Sequence, residues 1–558
     1  MRKNKKSCPS ERRKFFKQAG GLAATLAASA VPVTVEALLP TPAEAKPPAP
    51  PVFGATRSSQ AFKVRQSTAV FNHQIQSPLH PANGDEDLYP SRIASYSKGL
   101  PHNNLGEVNS NAYGALLRAL TSRDPADFEN IPLGCPDPAR QMKLVNPQAG
   151  IAFVLQGTDS HAMAIPPAPR FSSAEEAGEM VENYWMALLR DVSFTDYDSN
   201  AAAHAAAADL SHVSDFRGPR AGGQVTPGTL FRGMTPGDLK GPYISQFLLQ
   251  TAPFGANEVV QRMRTYLPGS DFMTTAADWL SVQNGCAPTG APPFDSVPRH
   301  IRNGRDLGEW VHVDVLFQAY FHAMLILASQ GAPLNPGNPY NSSQTQTGFG
   351  SFGQPHLAAA TAEVAPSALK AVWYQKWFVH RRLRPEAFAG RVHHRLTGAA
   401  NYPIHSDALN SQGLAAVLSL YGTAFLPMGF AEGSPLHPAY GAGHATVAGA
   451  CVTILKALFD ESHPMSNPVV PNADGTSLVP YTGLDAGQLT VGGELNKLAS
   501  NVAIGRDIAG VHWRTDATES LRLGEALAIS ILRDQRGTYN ESFAGFTFTK
   551  FDGAPVTV

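Results

Sequence analysis

Three separate stretches of this sequence combine basic side chains and histidines at spacings that suit a small bound anion. In the first, YQKWFVHRRLRPEAF, Lys376 and Arg384 lie eight residues apart. Eight residues span about two helical turns and leave the side chains roughly 80° apart, so they can share a broad face of a helix that Pro385 ends. A solvated basic face is the alternative, and the apolar neighbours Trp373 and Phe378 argue against it.

The second stretch is HPAYGAGHATVAGAC, in which Gly441, Ala442 and Gly443 precede His444 at the start of an apolar helical run. Small residues allow a ligand to approach the backbone closely. The first N–H groups of a helix have no intrahelical partners and carry the positive end of the helix dipole. The stretch therefore suits an anion, although a tight turn with a capping histidine explains it equally well.

The third stretch is GRDIAGVHWRTDATES, in which Arg506 lies six residues before His512 and Asp516 lies four residues after it. A carboxylate beside a metal-ligating imidazole fixes its tautomer and raises its basicity. Alternatively, Asp516 caps a helix together with Glu519, or does both, and Arg506 is an ordinary surface arginine. Together the three stretches supply the donors, the nucleophile and the acid that a tetrahedral oxyanion site requires.

The elements that must position these residues are predicted to be helices. Apolar residues recur at helical spacing from a serine cap near residue 172, and again over 308–331, which is interpreted as one long helix. Residues 333–355 are predicted to form a long loop. Further helices are predicted near 357–384, 407–423, 444–459, 487–503 and 515–533. Strand alternation is nearly absent, so the expected class is all-α with packed helix bundles.

The N-terminal part of the chain has a different character. Residues 1–45 contain the pair Arg12 and Arg13, a weakly apolar run and the tripeptide AEA at 43–45, which together predict a twin-arginine export signal. An uncleaved anchor or a basic tail is the alternative. Residues 46–165 are rich in Pro, Gly, Asn and Ser and are predicted to be irregular and packed on a helical core, residues 166–558. A bacterial periplasmic or secreted protein is expected.

Composition excludes some function classes. The 558 residues carry a formal net charge of −1, so no overall field attracts nucleic acid or an acidic membrane. No apolar span long enough to cross a bilayer is evident, so the mature form is expected without a membrane segment.

Cys135 and Cys286 lie in turn-rich loops, and an oxidising compartment permits a disulfide between them. Cys451 is expected to be a small core residue.

The order Lys-(x)7-Arg-Pro, then Gly-His, then Arg-(x)5-His-(x)3-Asp resembles the vanadium-dependent haloperoxidases, most closely the bromoperoxidases of red algae and cyanobacteria. Stretches such as YWMALLRDVSFTDY and WVHVDVLFQAYFHAMLIL extend the resemblance. It implies two packed four-helix bundles, a vanadate cofactor, and oxidation of halide by hydrogen peroxide with halogenation of a small organic acceptor. It also implies a homo-oligomer. Calcium occurs in some relatives, but no EF-hand-like loop is present.

The resemblance also implies roles for individual residues. His512 corresponds to the histidine that ligates vanadium, and His444 to the acid–base histidine. His437 matches the histidine typical of algal bromoperoxidases. The groups implied to bind the vanadate oxygens are the side chains of Lys376, Arg384 and Arg506 and the N–H of Gly443.

Two positions near the site depart from the algal pattern. Trp373 stands where algal bromoperoxidases tend to have arginine and fungal chloroperoxidases tryptophan, although bromide remains the expected halide. Ala442 stands where the superfamily has a serine that hydrogen-bonds vanadate. Loss of a hydrogen bond to a charged group costs on the order of 1.5–3 kcal/mol, which places about tenfold or more in vanadate affinity at risk.

Two other functions fit the same residues. Phosphate resembles vanadate, so His512 could be the nucleophile of an acid phosphatase or phosphatidate-phosphatase-like hydrolase that works through phosphohistidine. A third possibility is an exported anion-binding protein without catalysis, which the missing serine at Ala442 keeps open. Chain length and the flanking stretches favour a haloperoxidase, because the phosphatases are much shorter.

Overall fold

A computed structural model describes residues 54–290 and 292–558. The predicted export signal lies outside these residues. The chain divides into two units, residues 1–67 and 68–558, and the described part of the first is the beginning of one helix. The larger unit contains the candidate site and is described below.

The described residues are mainly helical, which confirms the all-α expectation. The α-helices are α1 Gly54–Gln74, α2 Asp85–Leu88, α3 Ser110–Ser122, α4 Pro125–Glu129, α5 Ala174–Leu188, α6 Ala201–His212, α7 Ala276–Gln283, α8 Gly304–Val313, α9 Gln318–Ser329, α10 Gln354–Tyr374, α11 Pro385–Leu396, α12 Ser406–Asn410, α13 Gln412–Tyr421, α14 Gly443–Leu458, α15 Val491–Ile508 and α16 Arg514–Arg536. Short 3-10 helices cover Pro147–Ile151, Ser160–Ala162, Phe194–Ser199, Gln246–Leu248 and Ala486–Gln488.

The described strands are three residues long and form separate antiparallel pairs. They are β1 Ala252–Phe254 with β2 Asn257–Val259, β3 Val469–Pro471 with β4 Leu478–Pro480, and β5 Thr547–Thr549 with β6 Pro555–Thr557. In register, Ala252 pairs with Val259, Val469 with Pro480 and Thr547 with Thr557. Such short pairs pin loops and do not build a core.

Four long helices, α10, α14, α15 and α16, pack into one bundle. Helix α14 is at its centre because it is apolar on all sides, and every residue except His444 is buried. Gly449 and Gly524 let α14 and α16 approach closely: a Cβ at Gly449 would lie 2.1 Å from the Leu521 carbonyl oxygen, and one at Gly524 would lie 2.0 Å from that of Thr446. The site lies at the end of the bundle where α14 and α16 begin.

A second group of helices, α6, α11, α12 and α13, surrounds α5. Helix α5 begins where the Ser173 hydroxyl accepts the Glu176 N–H at 3.1 Å, as the sequence predicted. Asp209 of α6 joins three of these helices, because its carboxylate accepts from Trp185 Nε1 at 2.8 Å and from the Gly413 N–H at 3.0 Å. The two groups correspond to the expected packed bundles.

The single helix predicted over 308–331 is wrong. Helices α8 and α9 are bent by 101° relative to each other, and Asp314 between them has an extended backbone with φ −61° and ψ 151°. Val313 and Val315 continue the apolar pattern of the sequence, yet they are 55% and 57% exposed. In the described part of the chain, no single helix is long and apolar enough to cross a membrane; α8 and α9 reach that length only as this bent pair.

The irregular structure expected for residues 46–165 is also only partly observed, since α1 and α3 lie within it. Helix α3 begins at Asn109, whose side chain accepts the N–H groups of Asn111 and Ala112. The sequence did not reveal α1 because its apolar residues lack helical periodicity.

The disulfide that the sequence left open is present between Cys135 and Cys286. Cys451 is a buried free thiol of α14, which confirms its assignment to the core. The bond joins two loops that are 151 residues apart in sequence.

Candidate active site

Lys376 lies in a turn of π-helix, Gln375–His380, that follows directly on α10. Turns of this kind interrupt helices frequently at functional sites. The Lys376 ammonium group is completely buried and donates to the carbonyl oxygens of Pro438, at 2.7 Å, and Ala439, at 2.9 Å. Lys376 is therefore hydrogen-bonded to the segment that precedes α14.

Arg384 is not on the same helix as Lys376, so the predicted shared helical face is wrong. Arg381 has a left-handed conformation with φ 42°, which ends the π-turn, and Arg384 is the residue that precedes the first turn of α11. Its Nη1 donates to His512 Nε2 at 3.0 Å, and its Nη2 donates to His437 Nδ1 at 2.9 Å. A change of chain direction, not helical periodicity, brings these groups together.

His512 and Asp516 form a buried pair at the start of α16. His512 Nδ1 lies 2.8 Å from Asp516 Oδ2, which also accepts the Trp513 N–H at 3.2 Å. Asp516 therefore both orients the imidazole and caps the helix. It caps from the third helical position, by accepting the N–H of Trp513, whereas the sequence predicted it as the first residue of a capping box with Glu519. With the proton on Nδ1, the Nε2 lone pair faces Arg384.

Arg506 lies in the last turn of α15 and is only 6% exposed, so the surface-arginine alternative is wrong. Its Nη1 donates to the Val311 carbonyl oxygen at 2.8 Å, and its guanidinium carbon lies 5.3 Å from the centroid of the Phe430 ring. Its buried Nε has no hydrogen-bond partner among the described residues. Arg506 thus retains an unsatisfied donor inside the protein.

Gly443 and His444 are the first two residues of α14, which begins one residue before the predicted start at His444. The glycine allows close packing, because a Cβ there would lie 3.1 Å from Trp373 Cζ3. His444 Nε2 lies 3.0 Å from Asp314 Oδ1, a partner that the sequence analysis missed. The signal available was a single acidic residue within the apolar run VHVDVLF.

Trp373 and His437 form an aromatic wall beside Lys376. Their ring centroids are 4.7 Å apart, and Lys376 Nζ lies 5.7 Å from the Trp373 ring. Trp373 Nε1 donates to the Val145 carbonyl oxygen at 3.0 Å. Ala442, which directly precedes α14, is buried with its methyl side chain.

Burial and mutual repulsion dominate the electrostatics of the site. Burial, and then the charge of Arg384, hold the pKa of Lys376 well below its usual range. Burial lowers the pKa of Arg384 and of Arg506 to about 10. Burial, and then Arg384 and Lys376, hold the pKa of His512 well below its usual range, so its imidazole is neutral and able to ligate a metal. The site is a buried concentration of positive charge around a neutral imidazole.

The chain is similar to known proteins over most of its length. A model of the VCPO second helical-bundle domain matches residues 356–540. A vanadium-dependent bromoperoxidase of Corallina pilulifera is 38% identical, with 86% of this chain and 94% of the relative aligned. One from Ascophyllum nodosum is 35% identical over 84% of this chain and 86% of the relative.

The chain belongs to the vanadium-dependent bromoperoxidase family. The homohexameric structure of the second vanadate-dependent bromoperoxidase of Ascophyllum nodosum, AnII, superposes with a TM-score of 0.86 at 33% identity and covers 95% of both chains. The similarity therefore extends over the whole fold and not only over the site.

The described residues fit the vanadate cofactor of this family. Among the described residues, all hydrogen bonds from Lys376, Arg384 and Arg506 end on carbonyl oxygens or imidazole nitrogens, so no carboxylate there compensates their charges by a direct ion pair. A multiply charged oxyanion would compensate them and would satisfy the unpaired Arg506 Nε. Within residues 54–290 and 292–558 no group of three or more His, Cys, Asp or Glu side chains is arranged to hold a cation.

Proposed function

We propose that this protein is a vanadate-dependent haloperoxidase that oxidises bromide with hydrogen peroxide and thereby halogenates small organic compounds. The observation that carries the proposal is the buried set of Lys376, Arg384 and Arg506 beside His512, whose other ring nitrogen is held by Asp516. The extensive identity to vanadium-dependent bromoperoxidases supports it.

In this assignment His512 Nε2 would ligate vanadium, and the three cations together with the Gly443 N–H would bind the vanadate oxygens. Bound vanadate supplies a Lewis acid that makes hydrogen peroxide electrophilic towards halide, with no need for a redox-active haem. The cations offset the negative charge of the anion, and the low dielectric of the buried site strengthens each contact.

His444 is the candidate group for proton transfer. Asp314 engages its Nε2 at 3.0 Å, which leaves Nδ1 as the ring nitrogen that accepts a proton from hydrogen peroxide. The His444 side chain is 21% exposed, whereas Lys376 is 0% and His512 2% exposed. His444 is therefore the most exposed of these three side chains, and we propose that hydrogen peroxide and halide enter from its side.

The proposal is tested by loading the purified protein with orthovanadate and measuring peroxide-dependent bromination of a dye and hydrolysis of an aryl phosphate. We expect bromination, and we expect His512→Ala to abolish both vanadate binding and bromination because it removes the metal ligand. His322→Ala is a matched control, since this buried histidine of α9 contacts Gln261 and none of the site residues named above. Wild-type bromination by His512→Ala would refute the assignment, and vanadate-inhibited hydrolysis without bromination would establish the phosphatase.

Export and assembly are part of the same proposal. We place the mature protein in the periplasm or outside the cell, without a membrane segment, and the Cys135–Cys286 disulfide is consistent with an oxidising compartment. A homo-oligomer is proposed because AnII is homohexameric. Cell fractionation and light scattering of the purified protein test the two statements separately.

A further inference from the structure

A buried guanidinium lies behind the His512–Asp516 pair, on the side away from the anion site. It belongs to Arg382, which is 4% exposed. Its Nη1 donates to Asp516 Oδ1 at 2.8 Å, and its Nη2 donates to Glu179 Oε2 at 2.6 Å and to Glu176. Asp516 therefore has both oxygens occupied, with Oδ1 held by Arg382 and Oδ2 by His512.

The plane of this guanidinium is fixed as well. Its central carbon lies 4.8 Å from the ring of Trp513, the residue after His512, and 5.9 Å from the ring of Tyr440. The Arg382 carbonyl oxygen accepts the Ala439 N–H at 3.1 Å. Arg382 therefore contacts the start of α16 and the segment that holds Lys376 at the same time.

Glu179 of helix α5 fixes both the guanidinium and the helix start. Its Oε1 accepts the Thr515 N–H at 2.6 Å and the Thr515 hydroxyl, while its Oε2 accepts from Arg382. Because the first N–H groups of α16 lack intrahelical partners, this contact fixes the turn that carries Asp516. The second helix group thereby sets the position of the imidazole through Arg382 and Asp516.

We propose that Arg382 is a positioning residue for vanadate binding. By holding Asp516 Oδ1 it fixes the carboxylate that accepts the hydrogen bond from His512 Nδ1, so that the Nε2 lone pair faces Arg384 Nη1. The inference deepens the proposed function and rests on His512 as the vanadium ligand. Outer partners of metal-ligating histidines typically change metal affinity by about 10–100-fold when removed.

The first test is the affinity for orthovanadate of the Arg382→Met protein, measured by ultrafiltration in the absence of peroxide and halide. We expect the Kd to rise about tenfold or more, because Asp516 and hence His512 lose their fixed orientation. Arg391→Met is the matched control: this buried arginine of α11 donates to the carbonyl oxygens of Leu105 and Gly106 and contacts none of the site residues named above. It is expected to lose thermal stability comparably and to keep the wild-type Kd.

A double-mutant cycle separates positioning from a general loss of structure. If Arg382 acts through Asp516, then Arg382→Met combined with Asp516→Ala binds orthovanadate no more weakly than Asp516→Ala alone. Losses that add in the double variant would overturn the inference, as would an unchanged Kd in Arg382→Met.

Removal of Arg382 leaves buried carboxylates unpaired, which can prevent folding. The second variant, Arg382→Met with Glu176→Gln, removes one of these charges and is measured in the same way. Failure of this inference is distinguishable from failure of the proposed function. If orthovanadate binding depends on His512 but not on Arg382, only the positioning role is wrong; if it does not depend on His512, the proposed function is wrong.

Discussion

Ala442 places a methyl group where the family pattern has a serine hydroxyl. The residue directly precedes the first turn of α14, and its N–H donates to the Ser520 hydroxyl oxygen at 2.7 Å. A Cβ at the neighbouring Gly441 would lie 2.3 Å from the same oxygen, so α16 packs tightly against this turn. The backbone at Ala442 is thus fixed by Ser520, and its methyl side chain has no group that can donate a hydrogen bond to an anion.

We therefore predict that Ala442→Ser tightens vanadate binding about tenfold, since a hydrogen bond to a charged group contributes on the order of 1.5–3 kcal/mol. The measurement is the Kd for orthovanadate, with the thermal stability of the unloaded protein as the control for packing. Weaker binding by a variant of wild-type stability would show that the small residue is required at this position.

At the residue scale, the sequence indicated the candidate anion-binding groups, but not the side chains that contact them from distant parts of the chain. Lys376, Arg384 and His512 stand at characteristic spacings, which made them recognisable. Asp314 contacts His444 from 130 residues away in sequence, and Arg382 contacts Asp516 from 134 residues away. A motif defined by local spacing cannot indicate such pairs. Contacts between distant elements depend on packing, which a linear pattern does not contain.

At the scale of elements, the crossing of α14 and α16 determines where the site residues meet. Gly524 of α16 lies against the backbone of α14, and a Cβ there would be 2.0 Å from the Thr446 carbonyl oxygen and 2.6 Å from the Ala450 nitrogen. Backbone atoms cannot move aside as the end of a side chain can. The two helices would have to separate to admit even one methyl group.

Gly524→Ala is therefore predicted to lower the free energy of unfolding by about 1–3 kcal/mol through overpacking, and to weaken vanadate binding because the helix that carries Asp516 is displaced. Urea unfolding and the orthovanadate Kd measure the two effects. Gly308→Ala is the control, since its Cβ would have only ordinary contact with Ala509 Cβ at 3.7 Å. If both variants lost the same free energy of unfolding and the same vanadate affinity, separation of α14 and α16 would not be the cause of the losses.

The last turn of α8 contains a histidine between two carboxylates. His312 Nδ1 lies 3.2 Å from Glu309 and Nε2 lies 2.6 Å from Glu432, and the ring stacks on Phe430 at a centroid distance of 3.8 Å. Burial opposes protonation, but the hydrogen bonds to Glu309 and Glu432 outweigh it and raise the pKa of His312 to about 9. This pair of contacts joins α8 to the loop that also packs on Arg506.

Because the pKa of His312 is raised on folding, its charged form stabilises the protein fully below its ordinary pKa of 6.5, and this stability is lost as the pH rises through about 9. We predict a fall in the free energy of unfolding of on the order of 2 kcal/mol between these values, allowing for the partial exposure of Glu432. Urea unfolding of His312→Gln should show a flatter profile, whereas His322→Gln should retain the wild-type slope. Identical profiles for wild type and His312→Gln would contradict the prediction.

At the scale of the whole molecule, the all-α class, α10 and the helices from α12 to α16 were largely predictable, because long apolar periodic segments dominate that half of the chain. Helix α11 was not predicted, because Pro385 was expected to end a helix and instead occupies the first position of α11, where proline is tolerated. The bend between α8 and α9 was not, since Val313 and Val315 continue the apolar pattern through the break. Helix α1 escaped detection for the opposite reason, as it is polar around most of its surface. Apolar periodicity indicates which residues are buried on a helix. It therefore misses a helix that is largely exposed, and it does not detect a break within an apolar segment.

The Cys135–Cys286 disulfide links two loops that are far apart in sequence and so affects the stability of the whole chain. It closes a loop of 151 residues, and next to it the Met142 N–H donates to the Gly285 carbonyl oxygen at 2.9 Å. A few residues further along, Val145 accepts from Trp373 Nε1 at 3.0 Å. The bond therefore constrains a long part of the unfolded chain and anchors the loop behind the aromatic wall.

We predict that Cys135→Ser combined with Cys286→Ser lowers the free energy of unfolding by about 2–5 kcal/mol, because the unfolded chain regains the entropy of a long closed loop. Vanadate affinity should change little, since the loop contacts Trp373 and not the groups that bind the anion. Urea unfolding with and without dithiothreitol measures the effect, and Cys451→Ser should behave as the wild type and remain sensitive to the reductant. A double variant as stable as the oxidised wild type would show that native contacts alone hold these loops together.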